Sequence, residues 1–197
     1  MKAFVTGILI SDLKADVSKL ISQTKELLLT DEYSLQQNPA AGKWSAVQCI
    51  EHLNSYNRYY LPQIEKALLN GAYKNLPAQA TYKPGWLGNY FTKLMKPGVN
   101  GELTSKMQAP KDHRPNMNLN AKKVLAEFIE GEEKLLSCLE RAEKINIARL
   151  RVPISLSKWI KLKLGDTFRF LVAHQQRHML QAMKAFSAAK KELPVNI

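Results

Sequence analysis

Residues 168–181 read FRFLVAHQQRHMLQ, with His174 and His178 four positions apart. On a helix such a pair lies one ring above the other on the same face. That spacing can present two ring nitrogens to a single metal ion. A His-Glu-x-x-His protease would carry Glu after the first His; Gln175 stands there instead. With four histidines in the chain, a pair at this spacing can also arise by chance. It carries weight only if a third ligand comes from another element at the same depth.

Around this segment the chain reads as helices. The one that carries the pair is expected over residues 166–190, opened by Gly165-Asp166 with Asp166 as N-cap. A first helix is expected over 11–30, where Leu13, Val17, Leu20, Ile21, Thr24, Leu27 and Leu28 share one face and Ser11 is the N-cap. Residues 31–41, with Asn38-Pro39 and then Gly42, read as a connection. The second helix, 45–70, begins with a capping box, Ser45-x-x-Gln48. Trp44 and Cys49 stand where a hydrophobic staple would close, Asn70-Gly71 marks the stop, and Pro62 predicts a kink or break. A third helix over 120–143 is capped by Asn120, with Gly131 as its weak point.

Residues 72–118 form a connector rich in Pro, Gly, Asn and Lys, with one short helix over Trp86–Met95. Leu150, Val152, Ile154 and Leu156 alternate like a strand, but Pro153 argues against a well-paired one. The tail from Glu192 contains Pro194 and is expected to fray. The fold class that follows is all-α, a four-helix bundle with one long crossover, forming a single domain over 1–197.

The third ligand is sought among the two other histidines. His113 lies in the Pro110–Pro115 loop, whereas His52 lies on the second helix, on the face of Cys49 and Tyr56. Its distance from its N-cap resembles that of His174 and His178 from theirs, so the three can meet at middle depth if the helices pack side by side. They would leave coordination positions open to water or substrate. Buried histidines bonded to backbone or Tyr hydroxyls fit the same spacing equally well. Tyr56 and Gln181, one turn beyond His52 and His178, are the candidate catalytic residues. Cys49 reads as a small buried hydrophobe more than a fourth ligand. Glu51 points away from His52.

Trp44-Ser45, His52 and the distant His174-x-x-x-His178-x-x-Gln181 together resemble the DinB/YfiT-like superfamily. The resemblance spans the chain from the first helix to about Phe186 and implies an up-down-down-up bundle in which 72–118 makes the crossover. It implies a divalent metal, nickel or zinc, on His52, His174 and His178. It also implies thiol S-transfer with a low-molecular-weight thiol as cosubstrate, or metal-dependent hydrolysis, in a homodimer. Arg177 stands where an additional His is common in that family, which removes no ligand.

Composition constrains the alternatives. The net charge is +12, and two stretches are basic without any acid: Lys66–Gly101 with five lysines, and Lys144–Gly165 with six Lys or Arg. If Lys93, Lys96, Arg149, Arg151, Lys158 or Lys161 rimmed the site, they would favour a small anionic substrate. No helix-turn-helix, zinc-finger or RNP pattern is present, and aromatics do not interleave with the basic runs. Nucleic acid is therefore not the expected partner; a non-catalytic metal-binding or basic-surface bundle is the alternative to an enzyme. Two distant cysteines fit a reducing cytoplasm. The apolar run Ala3–Ile10 is too short for a signal peptide, and no segment has the length of a membrane span.

Overall fold

The computed structural model describes residues 1–98, 100–102 and 108–192. In chain order its elements are β1 (Phe4–Val5), α1 (Thr6–Leu28), α2 (Glu32–Gln36), α3 (Ala46–Tyr73), β2 (Thr81–Tyr82) and α4 (Trp86–Met95). After a 3-10 turn at Lys111–His113 come α5 (Ala121–Ala142), β3 (Arg151–Ile154), β4 (Ser157–Lys163) and α6 (Leu164–Glu192). The four long helices α1, α3, α5 and α6 make an all-α bundle in which α1 and α3 each pack on both α5 and α6. Among the described residues no helix is long and apolar enough to cross a membrane. Of the tail expected to fray, residues 193–197 lie outside the described residues.

Caps account for two of the starts. The Ser45 hydroxyl accepts from Gln48 N at 3.3 Å, and Gln48 Oε1 accepts from Ser45 N at 3.0 Å, completing the capping box. Asn120 Oδ1 accepts from Lys123 N at 2.9 Å to open α5. The other two starts differ from the sequence expectation, for a shared reason. Helix α1 begins at Thr6 and not at Ser11, because β1 pairs with β2 and Thr6 N donates to Ala80 O at 2.9 Å. Helix α6 begins at Leu164, where the amides of Leu164 and Gly165 donate to the carbonyls of Leu150 and Ile147. In both, distant backbone serves the orphan amides that a capping side chain would serve.

Asp166 is therefore free for another task. Its buried carboxylate accepts from Gly85 N at 2.8 Å and pairs with Arg169 at 3.4 Å, which ties the start of α4 to α6.

Three further expectations are corrected. The 31–41 connection contains the short helix α2, opened by Asp31, whose carboxylate accepts from Ser34 N at 2.7 Å. Helix α3 is not broken at Pro62 and runs past Asn70-Gly71 to Tyr73, two residues before an Asn75 with φ of 46°. Pro153 does sit in a paired strand: β3 and β4 form an antiparallel hairpin. Its ladder is irregular between Pro153 and Ile154, where a missing donor is accommodated.

The core falls into two apolar clusters along the bundle. One gathers Tyr60, Ile64 and Leu68 of α3 with Phe168 and Leu171 of α6. The other gathers Val47, Ile50 and Leu53 with Phe128 of α5 and Met179 of α6. Between them runs a buried polar belt: His52, Asn54 and Asn57 on α3, Glu132 on α5, and His174 and Gln175 on α6. Gly131, read as a weak point, is what lets α5 approach this belt, since a Cβ there would stand 2.7 Å from Asn57 Nδ2. Gly131→Ala is expected to cost about 1–3 kcal/mol in urea unfolding, because Asn57 must move off its partners.

Candidate metal centre

Helix α3 delivers His52 and helix α6 delivers His174 and His178, and the three rings meet where the polar belt crosses the bundle. Ring centroids are 5.1 Å apart for His52 and His174, 4.4 Å for His52 and His178, and 4.5 Å for His174 and His178. One candidate ligand nitrogen from each lies within 4.8 Å of the others. His52 Nε2 and His174 Nε2 stand 3.2 Å apart. Two ligands at about 2.0–2.1 Å from a tetrahedral ion stand about 3.3 Å from each other. The His52–His174 spacing therefore suits two ligands of one ion.

The orientation of His52 is fixed from behind. Its Nδ1–H donates to the His113 carbonyl at 2.7 Å, so the lone pair of the neutral ring is on Nε2, the nitrogen that faces the other two rings. The His113 ring is held in turn, with Nδ1 3.0 Å from Ser55 Oγ. Trp44 lies against His52 and His178, at centroid distances of 5.0 and 6.2 Å. Tyr56 packs on His174 at 4.3 Å and on His113 at 4.1 Å. Rings packed this closely have little freedom to turn away from the common point.

Burial keeps all three imidazoles neutral. It pushes His52 down to about 4, opposed by the hydrogen bond to His113, and His178 down to about 3, opposed by one with Gln181. His174 is held well below the ordinary histidine range, again chiefly by burial. Neutral imidazole is the form that ligates, so no proton has to be displaced at neutral pH. Meanwhile the Nδ1 atoms of His174 and His178 are buried without a hydrogen-bond partner. An ion held on the facing nitrogens would leave His174 Nδ1 as it is, so the fit to a cation rests on the neutral, converging donors.

A family model of the DinB superfamily matches residues 18–182. The chain belongs to the DinB superfamily. Neither the comparison with curated proteins nor the one with solved structures returned a match.

In this DinB-superfamily bundle the remaining candidates separate clearly. Tyr56 is a wall of the site, its hydroxyl pushed up to about 12 by burial, so it stays protonated at neutral pH. Gln181 is half-buried beside His178. Cys49 is buried, its thiol pushed up to about 12, and it is not part of the donor group. Trp44 faces the ligand rings and also packs against the apolar cluster that contains Cys49. Glu51 is taken by Arg58, at 2.9 Å. Arg149 and Arg151 do not rim the site. They line a cavity with Asn70, which lies 18 residues beyond His52 on the same helix, about 27 Å along its axis.

Two contributions were not read from the sequence. His113 acts through its carbonyl, which no sequence pattern marks. Glu132 was legible in principle, since it falls on the apolar stripe of α5 between Phe128 and Leu135. Its Oε1 accepts from Asn57 Nδ2 at 2.9 Å and from Gln175 Nε2 at 2.6 Å, joining three helices next to His174.

Proposed function

We infer that this chain is a metal-dependent enzyme that acts on a small molecule, with nickel or zinc held by His52, His174 and His178. The observation that carries the reading is the convergence of three neutral, pre-oriented imidazoles within 4.8 Å of one another. A divalent ion there would supply Lewis acidity, enough to make a nucleophile of water or of a low-molecular-weight thiol near neutral pH.

The chain's own residues do the rest. His113 fixes the tautomer of His52, and Trp44 and Tyr56 pack against the rings. Gln181, half-buried one turn beyond His178, would orient a substrate there. With Glu51 paired to Arg58, the α3 turn that carries His52 offers no ready carboxylate base. Thiol transfer and hydrolysis are the reaction types this arrangement supports.

The test is turnover by nickel- or zinc-loaded protein, using a thiol with monobromobimane as acceptor and, separately, an activated ester. Activity is expected to require the metal and to fall to background in His174→Ala. Equal turnover in that variant would contradict the reading, and metal binding without turnover of either substrate would favour the non-catalytic alternative.

A further inference from the structure

The far end of α3 closes with two backbone bonds around Asn75, which takes φ of 46°. Leu76 N donates to Gly71 O at 3.1 Å and Asn75 N to Ala72 O at 3.0 Å, the Schellman pattern. The chain leaving α5 docks against this turn. Asn146 N donates to Leu76 O at 3.0 Å, while Asn146 Oδ1 accepts from Ala148 N at 3.1 Å and Arg149 N at 3.3 Å. Gly71 makes the docking possible: a Cβ there would stand 2.6 Å from Ile145 and 2.8 Å from Leu150.

Between these fixed segments lies a cavity of about 320 Å³. Leu76 and Leu150 give it an apolar floor, while Asn70, Lys74, Arg149 and Arg151 supply its polar lining. Among the described residues, none of the three cations forms an ion pair. Arg151 is held in place by Nη1, which donates to the carbonyls of Ala148 at 2.7 Å and Leu150 at 3.0 Å. Lys74 has an ordinary explanation, since a cation at a helix C-terminus complements the dipole. The two arginines do not, because they come from another segment, one with no acid between Lys144 and Gly165. Like charges gathered at a concave surface repel one another and concentrate positive potential there.

We propose that this cavity is a second binding site, distinct from the three-His group, for a small phosphate monoester with an apolar substituent. Arg149 and Arg151 offer planar forks that match phosphate oxygens, Lys74 adds a point charge, and Asn70 adds an amide donor. The leucine floor receives the apolar substituent. A phosphate dianion fits three cations better than a monocarboxylate does.

Phenyl phosphate is the probe, titrated by calorimetry at physiological salt into wild type, Arg149→Gln/Arg151→Gln and Lys122→Gln/Lys123→Gln. The last pair removes the same charge from the exposed first turn of α5. Saturable binding is expected in wild type, at least tenfold weaker in the arginine variant and unchanged in the lysine variant. The single variant Arg149→Gln, which alters an exposed side chain and leaves Arg151 on its carbonyls, is expected to weaken binding at least threefold. His52→Ala is expected to bind as wild type does. Absence of saturable binding to wild type, equal losses in the two double variants, or benzoate binding as tightly as phenyl phosphate would each overturn the proposal.

Discussion

Zinc or nickel added to chelator-stripped protein is expected to raise the melting temperature by about 8–16 °C when the free ion exceeds its Kd a thousandfold. At that excess a ligand that binds only the folded state stabilises it by about 4 kcal/mol. In a chain of this size each kcal/mol moves the midpoint by about 2–4 °C. That excess is reached at a low ion concentration because the site is built before the ion arrives, which lowers Kd. His52 has its ring nitrogen aimed by the His113 carbonyl, and its Nε2 already stands 3.2 Å from that of His174. In His52→Ala or His174→Ala the shift is expected to shrink to a few degrees or less, as read by differential scanning fluorimetry with and without metal. A shift of full size in either variant would place the ion elsewhere.

Replacing Glu132 by Gln is expected to change how stability depends on pH, by on the order of 2 kcal/mol between pH 6.5 and 8. Burial pushes the Glu132 carboxyl up to about 8, and the hydrogen bond from Asn57 offsets only part of that. In this window the folded state holds a proton that the unfolded state has released. Wild-type stability therefore declines as pH rises through it. The buried histidines act in the opposite direction, because their pKa values are depressed in the fold, but their effect lies below about pH 6.5 and is common to both proteins. Glu132→Gln keeps an acceptor for Asn57 and Gln175 and removes the titration, so its stability should stay flat and exceed wild type at pH 8. Glu132→Ala, by contrast, strands buried amides and is expected to cost about 3 kcal/mol near pH 6.5, and less as pH rises towards 8 because the wild type itself weakens there. Parallel curves for wild type and Glu132→Gln in urea unfolding would show that the carboxyl is not protonated in this window.

What could be read from the sequence was what short-range chemistry determines. Ser45 and Gln48 specify a capping box within four residues, and Asn120 specifies the start of α5 in the same way. Apolar spacing gave the four long helices of the bundle, and the match in depth singled out His52 over His113. The starts of α1 and α6 were misplaced because their amides are served by Ala80, Leu150 and Ile147, none of them local. Pro153 argues against a strand only where both edges must pair, and β3 has the single partner β4. Gly71 looked like a helix stop and Gly131 like a flaw; both are points where another segment comes too close for a Cβ. Charge alone does not say whether Arg149 and Arg151 rim the histidines, and the structure places them with Asn70 towards the other end of α3.

The most direct test of the metal centre is the metal content of purified wild type beside His52→Ala and His178→Ala, after loading with nickel or zinc and removal of the excess. Wild type should retain roughly one ion per chain, and both variants should lose it. Equal metal in all three proteins, or none in wild type, would contradict the three-His site.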